Sequence, residues 1–435
     1  MPKPRAAHAP SVVRIVALAL ALQPAIAHAA PDAPEPWLPA KADVVQALSS
    51  HPGVTAANAR TTAARAEAAA LSSGPHEFTL TTSYLSRTVQ DSSGIGNGRF
   101  NEFEAQVTRP VRLPGKARLD RQIGSQGVSY AQNMAEDQVH QAALRLAQGW
   151  WDWLGAAREA QVDRAAVANY QALLASVQRR VALRDAAALE GLQVSAALNS
   201  ARAQSERSHG REAVARARLA AQFPGLPLPA LAPDIPAPQL PAGGLGALHD
   251  KILGHSHELA AAEALVRQSD AQADRARKER TGDPSFGVRV FSEKGGMEKG
   301  AGVVFSIPFG GGNRAAMADR ASAQASAVNA DLQAVRLDMQ ETADADLVET
   351  QTCFAAWQLA QDAHDGQMAA LQKIRRGLQL GEFSLADVLL AERQAHDTMR
   401  AETLARTDAM RALTRLRIDS HELWIGDTEP DAANP

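Results

Sequence analysis

Residues 286–314, FGVRVFSEKGGMEKGAGVVFSIPFGGGNR, place two alternating runs around a short turn and end on a proline and three glycines. Phe286, Val288 and Val290 recur at every second position, and so do Ala301, Val303, Phe305 and Ile307. Alternation of period two marks strands with one apolar face. Lys294-Gly295-Gly296 makes the turn and Pro308 stops the second strand. Each run is about 9–11 residues, the length of a tilted strand that crosses a bilayer.

About 200 residues earlier the chain says the same thing. Phe78, Leu80, Thr82 and Tyr84 alternate, Asp91 to Gly98 read as a loop, and Phe103, Ala105 and Val107 alternate up to Pro110. The exits correspond: Thr108-Arg109-Pro110-Val111 with Gly115 answers Ser306-Ile307-Pro308-Phe309 with Gly312. The openings correspond as well, His51-Pro52-Gly53-Val54 against Ser256-His257-Glu258-Leu259. A period this long is not a solenoid repeat but two copies of one larger half. Four strands per chain cannot close a membrane barrel, which takes about eight or more. Oligomerisation follows, and three chains bring about twelve strands.

Outside the strands the chain reads as helix. Residues near 42–72 are alanine-rich, and Ser73-Gly74-Pro75 ends that helix. No proline interrupts Lys116 to Leu183 or Arg314 to Leu380. At 1.5 Å per residue each of these runs about 100 Å, which calls for coiled-coil packing rather than a compact domain. Trp150, Trp151, Trp153 and Trp357 read as packing residues between such helices. Between the halves seven prolines from Pro224 to Pro241 exclude helix and central strand, leaving an extended connector.

The N-terminus predicts export. Lys3, Arg5 and Arg14 precede a short apolar run, Ile15 to Leu22, and Ala27-His28-Ala29 gives a cleavage pattern. The division is therefore a signal peptide at 1–29, a first repeat at 30–222, a proline-rich linker at 223–245, a second repeat at 246–425 and a disordered tail at 426–435. Cys353 is the single cysteine, so no intramolecular disulfide forms. The formal net charge of −3 argues against a nucleic-acid partner. No catalytic constellation, cofactor motif or metal centre emerges. Gly310-Gly311-Gly312 lacks phosphate-loop spacing and reads as a tight strand exit. His255, His257 and Glu258 are weighed as metal ligands and read as ordinary polar residues at a helix start.

The turn at Leu380-Gly381-Glu382-Phe383-Ser384-Leu385-Ala386-Asp387-Val388-Leu389 resembles the G-x-x-S/T-x-x-D-V-L tip of the TolC-like outer membrane efflux family. The transitions at Pro110 and Gly115 and at Pro308 and Gly312 are similar to its barrel-to-helix joints. The resemblance spans about residues 40–422 and implies an α+β membrane protein. Its expected form is a homotrimer with a 12-stranded barrel on a long α-helical coiled-coil barrel. It implies a passive outer-membrane conduit, not an enzyme, partnered by a periplasmic adaptor and an inner-membrane pump. The length and the Pro–Gly–basic exits lean toward heavy-metal efflux. A periplasmic adaptor and a structural coiled coil are the alternatives, and neither accounts for membrane-length strands. Within the tips Gly381 and Ser384 shape the turn, while Asp387 and its counterpart Glu190 are candidates for an acidic ring at the periplasmic aperture. Arg184 stands where the first tip would carry glycine, so that turn is expected to differ.

The mature chain is expected to begin near Ala30 and to fractionate with outer membranes as a trimer. Intact-mass and native-size measurements check both, and a soluble periplasmic monomer would overturn the second.

Overall fold

The computed structural model describes residues 35–89 and 98–425. The signal peptide, most of the loop at 91–98 and the tail at 426–435 lie outside the described residues. Two short helices open the first half, α1 (Lys41–Ser49) and α2 (Pro52–Ser73), where sequence suggested one. Pro52 forces the break: it lacks an amide donor and suits the first helical position. His51 caps the new helix, its Nδ1 accepting from the Gly53 amide at 3.1 Å. A hairpin of β1 (Thr79–Val89) and β2 (Gly98–Pro110) follows, then α3 (Lys116–Ala182) and α4 (Ala188–Gln222). The second half repeats the order with α5 (Leu245–Gly254), α6 (His257–Glu279), β3 (Ser285–Glu293), β4 (Glu298–Ser306), α7 (Gly312–Leu380) and α8 (Leu385–Asp419). The α5–α6 break copies the first, with the Ser256 hydroxyl accepting from the Leu259 amide at 3.1 Å.

The strands form one antiparallel sheet in the order β1-β2-β3-β4, so β1 and β4 are open edges. Beneath it α3 and α7, of 67 and 69 residues, run the whole length of the helical body. Near the sheet α3 packs against α2 and α6; farther away it packs against α4 and α8, while α7 packs first on α6 and then on α8. The layer is thus α2-α3-α6-α7 above and α4-α3-α8-α7 below, with α7 always at one edge. Among the described residues no helix is long and apolar enough to cross a membrane.

The main apolar core lies at the waist between these two levels. Trp150, Trp151, Trp153 and Leu154 of α3 meet Val44 and Leu48 of α1, Ile418 of α8 and Trp424. The proline-rich connector is pinned here too, through buried Phe223, Leu226 and Ile235. Two of the indoles bury their donors in bonds: Trp150 Nε1 donates to Trp37 O and Trp151 Nε1 to Thr414 Oγ1, both at 2.9 Å, while Trp153 Nε1 is buried without a hydrogen-bond partner. Trp357 donates to Glu402 Oε1 at 3.1 Å. These tryptophans hold helices together, as amphipathic rings do when buried.

Where sheet meets helix, Lys116 at the start of α3 is only 1% exposed. Its Nζ donates to Glu279 Oε2 at 2.9 Å, Thr281 O at 2.8 Å and Asp283 Oδ1 at 2.9 Å. Asp283 also accepts from the Leu113 amide at 3.0 Å, tying the exit of β2 to the entrance of β3. Arg314 of α7 donates to Glu279 Oε1 at 2.8 Å, and Arg275 bridges Glu279 and Asp120. Burial works against ionised Glu279 and Asp283, yet bonds from Arg275 and Lys116 hold Glu279, and bonds from Lys116, the Leu113 amide and His76 hold Asp283, below their usual range. Removing one partner of such a cluster strands the others. Lys116→Met is therefore expected to cost about 3 kcal/mol, read as a lowered thermal midpoint of the detergent-solubilised protein.

Candidate functional site

Strand register sorts the sheet into two faces. On one, the transverse rows read Arg109, Phe286, Phe305, with Phe78 just ahead of β1 against the Arg109 guanidinium; then Leu80, Val107, Val288, Val303; then Thr82, Ala105, Val290, Ala301; then Tyr84, Phe103, Ser292, Lys299. The middle rows are apolar or small and open to the surroundings, with Val303 89% exposed. Aromatic rings bound them at both ends, and the Phe286 and Phe305 rings meet at 4.6 Å between centroids. Three steps between rows, at 3.4 Å per residue, make a band of about 20 Å along the strands. The opposite face carries Thr79, Thr81, Ser83, Gln106 and Thr108. It also carries ion pairs, Arg87–Glu102 at 2.6 Å and Arg289–Glu104 at 2.8 Å. Apolar outward, polar inward and aromatic at both rims is the pattern of a strand set between lipid and a wet lumen.

The two exits are built differently. Gly115 caps α3 in the left-handed region, φ +84°. Gly312, its counterpart in sequence, already lies inside α7, and the cap Gly311 is extended at φ −139°. The tight approach falls on Gly310, where a Cβ would sit 2.7 Å from Arg280 O. Pro110 closes the ladder opposite Ser285, and Pro308 packs where a Cβ on Gly282 would be 2.5 Å from its Cγ.

At the far end both hairpin tips share one apolar cluster, Val177, Val194 and Leu385 with Leu378 and Leu389 around them. Gly381 ends α7 at φ +78°, with Glu382 N donating to Gly377 O at 2.9 Å. Arg184 takes the same left-handed conformation, φ +60°, and Asp185 N donates to Arg180 O at 2.8 Å. The first tip therefore has the same turn as the second, contrary to expectation. The arginine sits there at a backbone cost of roughly 1–2 kcal/mol. Ser384 and Asp387 form a capping box: Asp387 N donates to Ser384 Oγ at 3.2 Å and Ser384 N to Asp387 Oδ2 at 2.9 Å. Bonds from the Ser384 hydroxyl and amide hold the Asp387 carboxyl below its usual range. Glu190 occupies the same third helical position of α4, but Ala187 offers no capping oxygen.

A cavity of about 210 Å3 opens at the waist. It holds a cluster the sequence scattered too widely to reveal. His257 meets Glu136 at 2.8 Å, His140 Nε2 meets Asp419 Oδ1 at 2.7 Å, and the His421 ring lies 4.9 Å from that of His257 and 5.4 Å from that of His140. His255 and Glu258 belong to the same helix start, but among the described residues no group of His, Cys, Asp and Glu forms a metal-holding set. Beside the cavity Asp346 of α7 faces Asp419. Burial, then the hydrogen bond with Asp419 and the Asp419 charge, pushes Asp346 up to about 8. Burial also acts on Asp419, but the bonds from His140 and Asp346 bring it below its usual range. The pair thus shares one proton at neutral pH.

A raised folded value means that this pair's contribution is complete below the unfolded value near 3.8 and is lost as pH climbs through about 8. Asp346→Asn supplies a neutral partner at every pH. Its thermal midpoint is expected to fall less than that of the wild type between about pH 5 and pH 9, as a pair of unfolding series would show.

Residues 248–418 match the model of the family described as outer membrane efflux protein. A search of curated proteins found no match. The fold is similar to that of the outer membrane protein VceC of Vibrio cholerae, with a TM-score of 0.69 and 17% identity over 88% of this chain and 96% of that one. It is also similar to the CmeC outer membrane channel of Campylobacter jejuni, with a TM-score of 0.69 and 14% identity over 89% of this chain and 86% of that one. The open state of the MtrE outer membrane channel of Neisseria gonorrhoeae gives a TM-score of 0.67 and 16% identity over 87% of this chain and 88% of that one. The family match falls within the second half of the chain, and the likeness of the sheet and the paired hairpins to these structures is one of fold.

Proposed function

We propose that this chain is the outer-membrane channel subunit of a tripartite efflux system, a passive homotrimeric conduit with a long periplasmic extension. The observation that carries the reading is the two-faced sheet of four strands with both edges open. Unpaired backbone groups cannot face lipid, so β4 of one copy must meet β1 of the next until the ring closes. The helices support the same closure. On the side of α7 away from its neighbours, Ala330, Ala334, Leu337, Val348, Ala355 and Leu359 are exposed. On α4, Leu192, Ala196, Asn199, Ala203, Gly210 and Ala217 are exposed, and on α2, Ala59, Ala63, Ala66 and Ala70. These stripes recur at three or four residues and at their sums seven and eleven, the spacing of a coiled-coil seam. They lie on the two edges that a ring would join.

In this reading 30–222 and 246–425 are the two structural repeats and 223–245 the connector laid along the waist. A periplasmic adaptor would grip the hairpins and an inner-membrane pump would select the cargo, small toxic compounds or metal cations. Asp387 and Glu190 line the aperture: the two tips are packed together, so three copies bring up to six carboxylates to one end. The capping bonds of Asp387 keep it ionised, and rings of such acids favour cations. An adaptor or a structural coiled coil needs no girdled sheet.

Planar-bilayer recording tests the conduit and its aperture together. Asp387→Asn with Glu190→Gln is expected to lower cation preference while the trimer and its conductance persist; unchanged selectivity would remove the aperture role alone. Absence of any channel would remove the conduit. Position within the band sets a further outcome. Val303→Arg is expected to cost about 2–4 kcal/mol, and Phe305→Arg, in the rim row rather than the middle, about 0–1 kcal/mol, read as heat resistance of the assembled trimer.

A further inference from the structure

One residue on the apolar face is not explained by the band it borders. Arg109 stands in the basal row opposite Phe286, with the Phe78 ring on its other side. Its Nε donates to His76 O at 2.9 Å, and its Cζ lies 4.9 Å from the centre of the Phe78 ring. Those two contacts fix the plane of the guanidinium. They leave Nη1 and Nη2 with no hydrogen-bond partner, and no carboxylate pairs with Arg109, among the described residues. The two strand arginines of the polar face, Arg87 and Arg289, each have a glutamate. Arg109 is therefore a planar cation held at the edge of an apolar surface, with its fork open.

The surroundings are those of an interface rather than of water. Phe78 is 70% and Phe309 90% exposed, and Val111 and Ile307 lie open just below the basal row. A bare arginine among such residues is unfavourable in hydrocarbon but settles readily where lipid head groups begin. A guanidinium fork matches phosphate oxygens two at a time.

We propose that Arg109 is a phospholipid site, its Nη1–Nη2 fork taking the phosphate of a lipid in the leaflet that faces the helices, with Phe78, Phe286 and Phe309 against the glycerol end of the chains. The proposal rests on the reading that the apolar face lies in a membrane. Each chain supplies one such site at the lower rim, so the assembled ring carries lipid at regular intervals.

Native mass spectrometry of the detergent-solubilised full chain, titrated with dioleoylphosphatidylglycerol, tests it. Wild type is expected to retain this lipid at up to one per chain and not to retain phosphate-free dioleoylglycerol. Arg109→Ala is expected to reduce retention about fivefold. Arg109→Lys, which keeps the charge but loses the fork, should fall in between, and Arg118→Ala, an exposed arginine beyond the joint, should match wild type. Equal retention by Arg109→Ala, equal retention of dioleoylglycerol, or an equal loss in Arg118→Ala overturns the site. Membrane flotation of each variant separates this from the wider reading. A variant that floats yet loses the lipid supports the site, whereas wild type that does not float removes the membrane assignment itself.

Discussion

A backbone amide or carbonyl facing hydrocarbon must find a partner in protein, and four strands leave two rows of them without one. This constraint organises the rest of the molecule. The sheet can be stable in a bilayer only as a sector of something larger, so its edges and the edges of the helical layer must fall on the same two sides. They do: β4 continues into α7, the edge helix at both levels, while β1 follows α2 on the opposite side. The chain thus presents one continuous open edge from sheet to tip on each flank.

The joint between sheet and helices carries the second requirement. A strand must give way to a helix within a few residues, at both halves of the duplication. Prolines end the ladders, but what locks the geometry is charge. Buried Lys116 ties the first exit to the second entrance, and Arg314 brings α7 to the same glutamate. Such a knot gives direction as well as stability, because three acceptors fix where α3 begins. At the waist the solution is the reverse, an apolar core of tryptophans, of which Trp150 and Trp151 donate their indole nitrogens to Trp37 O and Thr414 Oγ1.

Much of this was legible in the sequence, and for definite reasons. Phe286, Val288 and Val290 announce a strand because period two survives any tertiary context, and the run from Lys116 to Leu183 announces a helix because nothing in it can stop one. The register then converts those runs into rows, which one strand cannot reveal: Phe305 reads as a lipid-facing residue but only its alignment with Phe286 puts it at the rim. The split at His51-Pro52 was written in the chemistry of proline yet hidden by the alanines around it. The partners of Lys116 lie more than 150 residues away along the chain. His140 and its partner Asp419 are farther apart still, and Asp346 too meets Asp419 only from a different helix, so no local pattern marks either cluster. Arg184 shows the opposite limit: a residue ill suited to the left-handed region takes that conformation because the surrounding turn dictates it.

α3 and α7 cross the waist without a break, while their neighbours are divided there into α2 and α4 and into α6 and α8. That division makes each long helix a lever. Below the waist about 30 residues of α3 extend to the tip, an arm of roughly 50 Å. A tilt of about 5° at the waist swings the end of such an arm by roughly 4 Å, enough to move the hairpin tips without unwinding a turn or disturbing the sheet. The divided helices supply the slack, since their ends can shift against the core while the unbroken pair transmits the movement.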